Sequence, residues 1–298
     1  MIKIIKIEKN FDNRLDRYLK IQYTSLTQSF IEKNIRKKNI IINNAKTSSK
    51  YIVKKNDILK ILNFHKDKYK NKIIFKKKVI ISKDLIKKFQ KSIIFENNDF
   101  LRINKWSSIA TQGGSKINIS IDDIIKSISL EYKLVHRLDK DTSGLLIISK
   151  NKESAKIFGN LFKLKLIYKT YIAICEGTPK LSESNIELDM KNKLDKVVQT
   201  NTYYKVIKKI NGLSLILFKP ITGKTHQLRI VSKNLSCPIV GDLKYNNQSK
   251  YKKEILKLNS HILNFSIGNK DYQFFSVLPD DFIQFMKKNK LKYSKKLI

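Results

Sequence analysis

The sequence predicts an α+β protein in two parts: a small helix–helix–strand unit near the N-terminus, and a larger domain whose mixed, mainly antiparallel sheet is flanked by helices. Three features predict this. Apolar residues recur at helical spacing in two short segments before residue 37. After Ile93 the chain changes to short apolar runs separated by polar turns, the pattern of strands. Two longer amphipathic segments, 151–164 and 279–290, stand among and after those runs.

The first helix is expected over 14–19, capped by Asn13, with Leu15, Tyr18 and Leu19 on one face. Ser25 and Gln28 have capping-box spacing before a second helix on which Phe30, Ile31 and Ile35 share a side. Residues 40–42 run into a polar turn at Asn43-Asn44, and 51–53 and 58–59 suggest strands around a turn at Asn56-Asp57. Residues 12–62 therefore form one compact unit. Arg36, Lys37 and Lys38 make a basic edge on it. A solvated helix end accounts for these charges, but their clustering where the chain turns favours phosphate contact. Residues 63–90 read as a basic linker, polar over 63–70 and carrying the run Lys76-Lys77-Lys78. The domain from 91 to 298 has strand patterns at 145–148, 171–174 and 213–218. The helix at 151–164 takes Asn151 as its cap, with Ala155, Phe158, Leu161 and Phe162 inward. The closing helix turns Phe282, Ile283, Phe285 and Met286 inward.

Charge narrows the function. Sixty-two Lys and Arg stand against 25 Asp and Glu, a net +37. A general enrichment in Lys, Ile and Asn accounts for part of this, and a polyanionic partner is the simplest account of the rest. An anionic membrane surface is the main rival. No apolar stretch approaches the roughly 18 residues of a spanning helix, and the start has no signal-peptide core. Cys175 and Cys237 lie far apart and form no disulfide framework, as suits a reducing cytoplasm. His65, His136, His226 and His261 are scattered, so no metal site is expected.

The chemistry centres on His136-Arg137-Leu138-Asp139-Lys140-Asp141-Thr142-Ser143-Gly144, a polar turn between apolar Leu134-Val135 and the strand from Leu145. A carboxylate at a strand mouth can reach a substrate, and Arg137 beside it can keep it ionised. The residues alone also fit an Asp that only forms the turn. Gly223-Lys224-Thr225 mimics the end of a phosphate-binding loop, but Phe218 stands where that loop needs its first Gly. Arg14-Leu15-Asp16 repeats the Arg-Leu-Asp string but starts a helix and lacks the turn.

The nine-residue string resembles the HRLD-x-x-TSG signature of the RluA family of pseudouridine synthases, with every fixed letter present. The resemblance implies that Asp139 is the nucleophile and that no cofactor is needed. Lys169-Thr170-Tyr171-Ile172-Ala173 resembles the family's K-x-Y-x-A strand, which implies that Tyr171 lies against the target base and helps remove its C5 proton. Lys224-Thr225-His226-Gln227-Leu228-Arg229 resembles RTHQ(L/I)R, which implies that Arg229 holds Asp139. Gly241-Asp242-Leu243-Lys244-Tyr245 resembles GD-x-x-YG, with Asn246 replacing the last Gly. The resemblance implies that Arg137 fills the gap left by a flipped uridine, a role preferred here to pKa partner, and that His136 helps it grip RNA. Residues 12–62 resemble an alpha-L RNA-binding domain of the ribosomal protein S-four type, which implies RNA contacts by Arg14, Arg36, Lys37 and Lys38; Asn39 replaces the Gly that usually ends its second helix. Trp106, Ser108 and Asn259 depart from the family pattern, where Pro, Gly and His are usual. Within the family the chain most resembles the large-subunit ribosomal RNA branch of the RluC and RluD kind, slightly nearer RluC. The expected partner is thus large-subunit ribosomal RNA or an assembling ribosomal particle, met in the cytoplasm by a monomer. A non-catalytic RNA-binding or assembly protein on this scaffold, or a synthase acting on transfer RNA, are the alternatives.

Overall fold

The computed structural model describes residues 1–71, 80–114, 117–191 and 197–291. The chain divides into two compact units, Met1–Lys78 and Val79–Ile298. The basic run Lys76-Lys77-Lys78 lies outside the described residues.

The first unit contains β1 (Lys3–Lys6), α1 (Leu15–Gln22), α2 (Gln28–Arg36), β2 (Ile40–Ile42) and β3 (Ile58–Ile61). Its three strands pair antiparallel in the order β1-β3-β2. Leu15, Leu19 and Ile31 from the helices meet Ile40, Leu59 and Ile61 from the sheet in one buried cluster. Several local details differ from the sequence reading. The unit begins at β1 rather than at residue 12. The residue at the start of α1 is Arg14, with no side-chain cap, while the Asn13 carbonyl accepts from the Val53 amide at 3.0 Å. Thr27 caps α2 by accepting from the Phe30 amide, and Ser25 instead ties the chain to Lys68 and Lys70. Residues 51–53 contribute an isolated bridge, Arg14 to Ile52, rather than a strand. The left-handed residue after α2 is Lys38 (φ 58°), not Asn39, whose side chain donates to Asn34 Oδ1 at 3.0 Å.

The described residues of the segment expected to be a linker belong to the two units. Phe64 and Tyr69 are buried in the first unit's cluster. Residues Lys83–Ser92 form α3, capped by Ser82, with Phe89 buried in a core cluster of the second unit.

The second unit continues with β4 (Ile93–Glu96), β5 (Phe100–Lys105), α4 (Ile121–Ile128), β6 (Lys133–Leu134), β7 (Ser143–Ser149), α5 (Lys152–Lys163), β8 (Tyr168–Glu176), β9 (Glu183–Lys191), β10 (Val197–Ile210), β11 (Leu213–Pro220), α6 (Gln227–Asn234), β12 (Leu258–Ile267), β13 (Lys270–Phe275) and α7 (Asp280–Lys288). The strands form one sheet in the order β4-β5-β7-β12-β8-β11-β10-β9, with β13 paired to β12 and β6 to β7. The β7–β12 pair is parallel and the other pairs are antiparallel, so the sheet is mixed and mainly antiparallel. Every residue of β7 is buried, as expected of a strand covered on both faces. Leu146 and Ile148 pack with Phe89 of α3 and with Ile121, Ile124 and Ile125 of α4. Leu145 and Ile147 pack on the other side with Phe158 of α5 and the aromatics of β12 and β13. This rigid strand carries the Asp139 turn at its start.

Candidate active site

A cavity of about 450 Å³ opens where the turn before β7, the start of β8 and the loop between β11 and α6 converge. Asp139, Tyr171 and Arg229 all line it, as do His136 and Arg137. Among the described residues that line it, Asp139 is the sole acid, beside the cations Arg137, Lys163, Lys165, Lys169, Lys224 and Arg229. The three strings around Asp139, Tyr171 and Arg229 therefore each send at least one side chain to the same space.

Asp139 sits in a tight turn whose Thr142 amide donates to the Asp139 carbonyl at 3.2 Å. Thr111 Oγ1 donates to the Leu138 carbonyl at 2.7 Å and accepts from the Leu138 amide at 3.1 Å. The backbone next to the acid is thus fixed. Its carboxylate is about one-fifth exposed, and among the described residues the ionisable side chain within ion-pair distance is His226, whose Nε2 lies 4.0 Å from Oδ2.

Arg229 does not hold Asp139 directly. Its Nε and Nη2 donate to the two oxygens of buried Asp242 at 2.7 and 2.6 Å, a bidentate geometry that fixes the guanidinium plane. Burial pulls Arg229 down, but the pairing outweighs it and holds the group above its ordinary pKa, with Asp139 contributing at longer range. Arg229 therefore supplies positive field behind the acid rather than a bond to it.

Burial pushes the Tyr171 hydroxyl up to about 12; nearby Ser260 opposes that shift and Asp139 adds to it. A phenol so placed keeps its proton at neutral pH. That favours bracing a base over removing a proton from it.

The profile of the family described as RNA pseudouridylate synthase matches residues 99–234. A Rickettsia bellii protein named "Ribosomal large subunit pseudouridine synthase C" is 38% identical over 94% of this chain and 99% of its own length. One of the same name from Rickettsia felis is 40% identical over 93% and 96%. This chain belongs to the RNA pseudouridylate synthase family. It is thus an RNA pseudouridine synthase, an isomerase. A more distant relative of the same name, from Buchnera aphidicola subsp. Schizaphis graminum, is 31% identical over 89% of each chain. The solved structure titled "Human RNA Pseudouridylate Synthase Domain Containing 4" shares the fold, at a TM-score of 0.60 and 24% identity over 70% of this chain and 96% of that one.

In this synthase His136 lines the cavity as a neutral ring. Its Nε2 accepts from the Ile147 amide at 2.9 Å, and its ring stacks on Phe162 at 4.8 Å. An accepting Nε2 requires a neutral ring with the proton on Nδ1. Burial, helped by Lys169, pushes its pKa from 6.5 down to about 3. The sign of the linkage follows. Between pH 6.5 and 3 the unfolded chain binds a proton that the folded ring refuses, so stability is lost as pH falls through that window, by up to about 1.4 kcal/mol per unit. His136→Gln, whose amide oxygen can accept from Ile147, is expected to lose less stability than wild type between pH 6.5 and 4.5. Urea denaturation at the two pH values checks this.

Arg14, Arg36, Lys37 and Lys38 belong to the first unit. Arg14 pairs with Asp16, its Nε donating to Oδ1 at 3.1 Å, while Arg36, Lys37 and Lys38 are exposed at the end of α2.

Several supporting residues carried only a motif letter as their signal. Lys105, the Lys of the Asn104-Lys105-Trp106 segment, is buried, and its Nζ donates to the carbonyls of Trp106, Ile109 and Lys140 at 3.0–3.1 Å. It thereby ties the 106–109 loop to the turn that carries Asp139. Burial pushes its pKa down to about 7, with Asp141 and Asp139 pulling it back. Buried Gln227 holds the loop before α6 through Thr222, Lys224 and Thr202. Asn259 donates to Ser143 Oγ at 2.8 Å and accepts from Ser276 Oγ at 2.6 Å, so the residue that replaces the usual His anchors the catalytic turn from the sheet.

Ser108, where Gly is usual in the family, has φ 67°. A side chain there is strained, so Ser108→Gly should stabilise the synthase by about 0.5–1 kcal/mol after the entropy of the freer unfolded chain is deducted. A thermal scan checks it; an unchanged or lower midpoint contradicts it.

Proposed function

We propose that this synthase isomerises specific uridines of large-subunit ribosomal RNA. The observation that carries the reading is a lone carboxylate among six cations in a cavity at the mouth of a rigid strand. The names of the bacterial relatives support the choice of RNA. In this reading the uridine leaves its stack and enters the cavity, and Arg137, exposed at the rim, fills the gap. Asp139 attacks C1′ or stabilises the cation that forms there as the C1′–N1 bond breaks. The uracil turns, C5 bonds to C1′, the C5 proton leaves and N1 takes one up, so substrate and product are isomers. Tyr171 braces the base as a neutral phenol. The exposed lysines of the lining, Lys163, Lys165 and Lys224, meet the phosphates.

The first unit acts as an RNA grip of the alpha-L kind. Its two helices on a small sheet and the exposed basic end of α2 support that reading. Pseudouridine mapping by chemical modification and reverse transcription, on ribosomal and transfer RNA from cells with and without the protein, tests the substrate. Loss of signal at large-subunit sites is expected. Intact large-subunit sites with missing transfer-RNA sites contradict the assignment.

A further inference from the structure

His226 precedes α6 in a left-handed conformation (φ 57°, ψ 19°) and makes no side-chain capping bond. A non-glycine residue there is uncommon, and the ring gives the helix no cap. The ring is instead committed to the cavity. Its Nδ1 lies 3.0 Å from the Tyr245 hydroxyl and 3.4 Å from Lys244 Nζ. An ammonium only donates, so Nδ1 facing Lys244 carries no proton. The neutral ring then holds its proton on Nε2, the atom that faces Asp139 Oδ2 at 4.0 Å. Burial keeps the ring neutral, with Arg229 and Lys244 reinforcing it and Asp139 opposing.

Tyr245 is itself fixed. Its amide donates to Asp242 Oδ1 at 3.1 Å, the Arg229 guanidinium lies 5.1 Å from its ring, and its ring meets His226 edge-on. The Arg229–Asp242 pair thus acts on the acid at second hand, through Tyr245 and the imidazole. Among the described residues no side chain hydrogen-bonds to the Asp139 carboxylate, and His226 alone comes within ion-pair distance.

We propose that His226 is the positioning residue of this active site: its Nε2–H, fixed in that tautomer by Lys244 and Tyr245, orients Asp139 through Oδ2 and leaves the other oxygen for the sugar. The 4.0 Å separation is longer than a hydrogen bond, and it closes when RNA expels water from the cavity, as catalytic contacts commonly do. The inference rests on the reading of Asp139 as the catalytic carboxylate.

The test has two arms. In the first, ring nitrogen NMR of the ¹⁵N-histidine-labelled full chain at neutral pH is expected to show His226 with Nε2 protonated and Nδ1 bare, the reverse of His136. An Nδ1–H tautomer or an imidazolium at His226 overturns the proposal. In the second, single-turnover isomerisation is compared for wild type, His226→Ala, His226→Gln and Asp139→Asn. A misplaced carboxylate costs about 100-fold in rate, so His226→Ala should fall by that factor with RNA affinity within threefold of wild type. His226→Gln, which returns an N–H donor near the same point, should recover at least about tenfold of that loss. A His226→Ala rate within threefold of wild type, or no recovery with Gln, overturns the proposal. If Asp139→Asn also isomerises at the wild-type rate, the underlying reading fails; if Asp139→Asn is dead while His226→Ala is fast, only the role of His226 fails.

Discussion

Asp139→Asn is expected to lower the single-turnover rate of pseudouridine formation by at least about 10³-fold, because a neutral amide can neither attack C1′ nor balance the positive charge that develops there. The substitution is nearly isosteric, and the turn is fixed through Leu138, Thr142 and Thr111 rather than through the carboxylate, so the fold should survive. RNA affinity should hold or rise. The change deletes the sole acid among the described cavity-lining residues, whose negative charge opposes phosphates drawn to the lining lysines. Mass spectrometry of the treated RNA and a binding titration at one fixed salt concentration check both halves. Loss of rate together with a large loss of affinity would instead mean that the residue holds the site together.

Gly144→Ala is expected to be the most damaging single methyl group in the second unit. Gly144 has φ 106°, and a Cβ built there would collide with the Ser260 carbonyl oxygen and lie 2.7 Å from its amide nitrogen. Both are backbone atoms of β12, the parallel partner that meets β7 at Asn259–Ser143 and Ser260–Gly144. Neither strand can step aside, since β7 is packed on both faces and β12 pairs with β8 and β13 as well. Backbone strain and forced separation together should cost at least about 3 kcal/mol. That predicts a fall of about 1 M or more in the urea midpoint, or no folded protein at all. An unchanged midpoint would mean that the two strands are less tightly coupled than the register shows.

The site was more legible in the sequence than the sheet. The Asp139, Tyr171 and His226–Arg229 strings span some ninety residues, yet each is local, with a turn or strand start that its own letters specify. Their meeting in one cavity depends on strand order, which is set by pairing between distant segments and leaves no local mark. The β7–β12 parallel pair joins residues 116 positions apart. The partner of Arg229 was missed for the same reason. Asp242 was read in a neighbouring motif, but its aim at Arg229 depends on how α6 and the following turn pack. α1 begins at Arg14 without a side-chain cap and α2 takes Thr27, while the Asn13 carbonyl and the Ser25 hydroxyl bond residues 53, 68 and 70, contacts that no local pattern announces. β1 was missed because four residues, Lys-Ile-Ile-Lys, at a sheet edge bury too little to leave a periodic signal.

The most direct test follows one atom. RNA carrying tritium at C5 of uridine should release that label to water as C5 bonds to C1′, one label for each pseudouridine formed. With large-subunit RNA under single-turnover conditions, wild-type enzyme should release tritium in step with isomerisation, and Asp139→Asn should release none above background. Release by Asp139→Asn at the wild-type rate would show that the glycosidic bond breaks without this carboxylate.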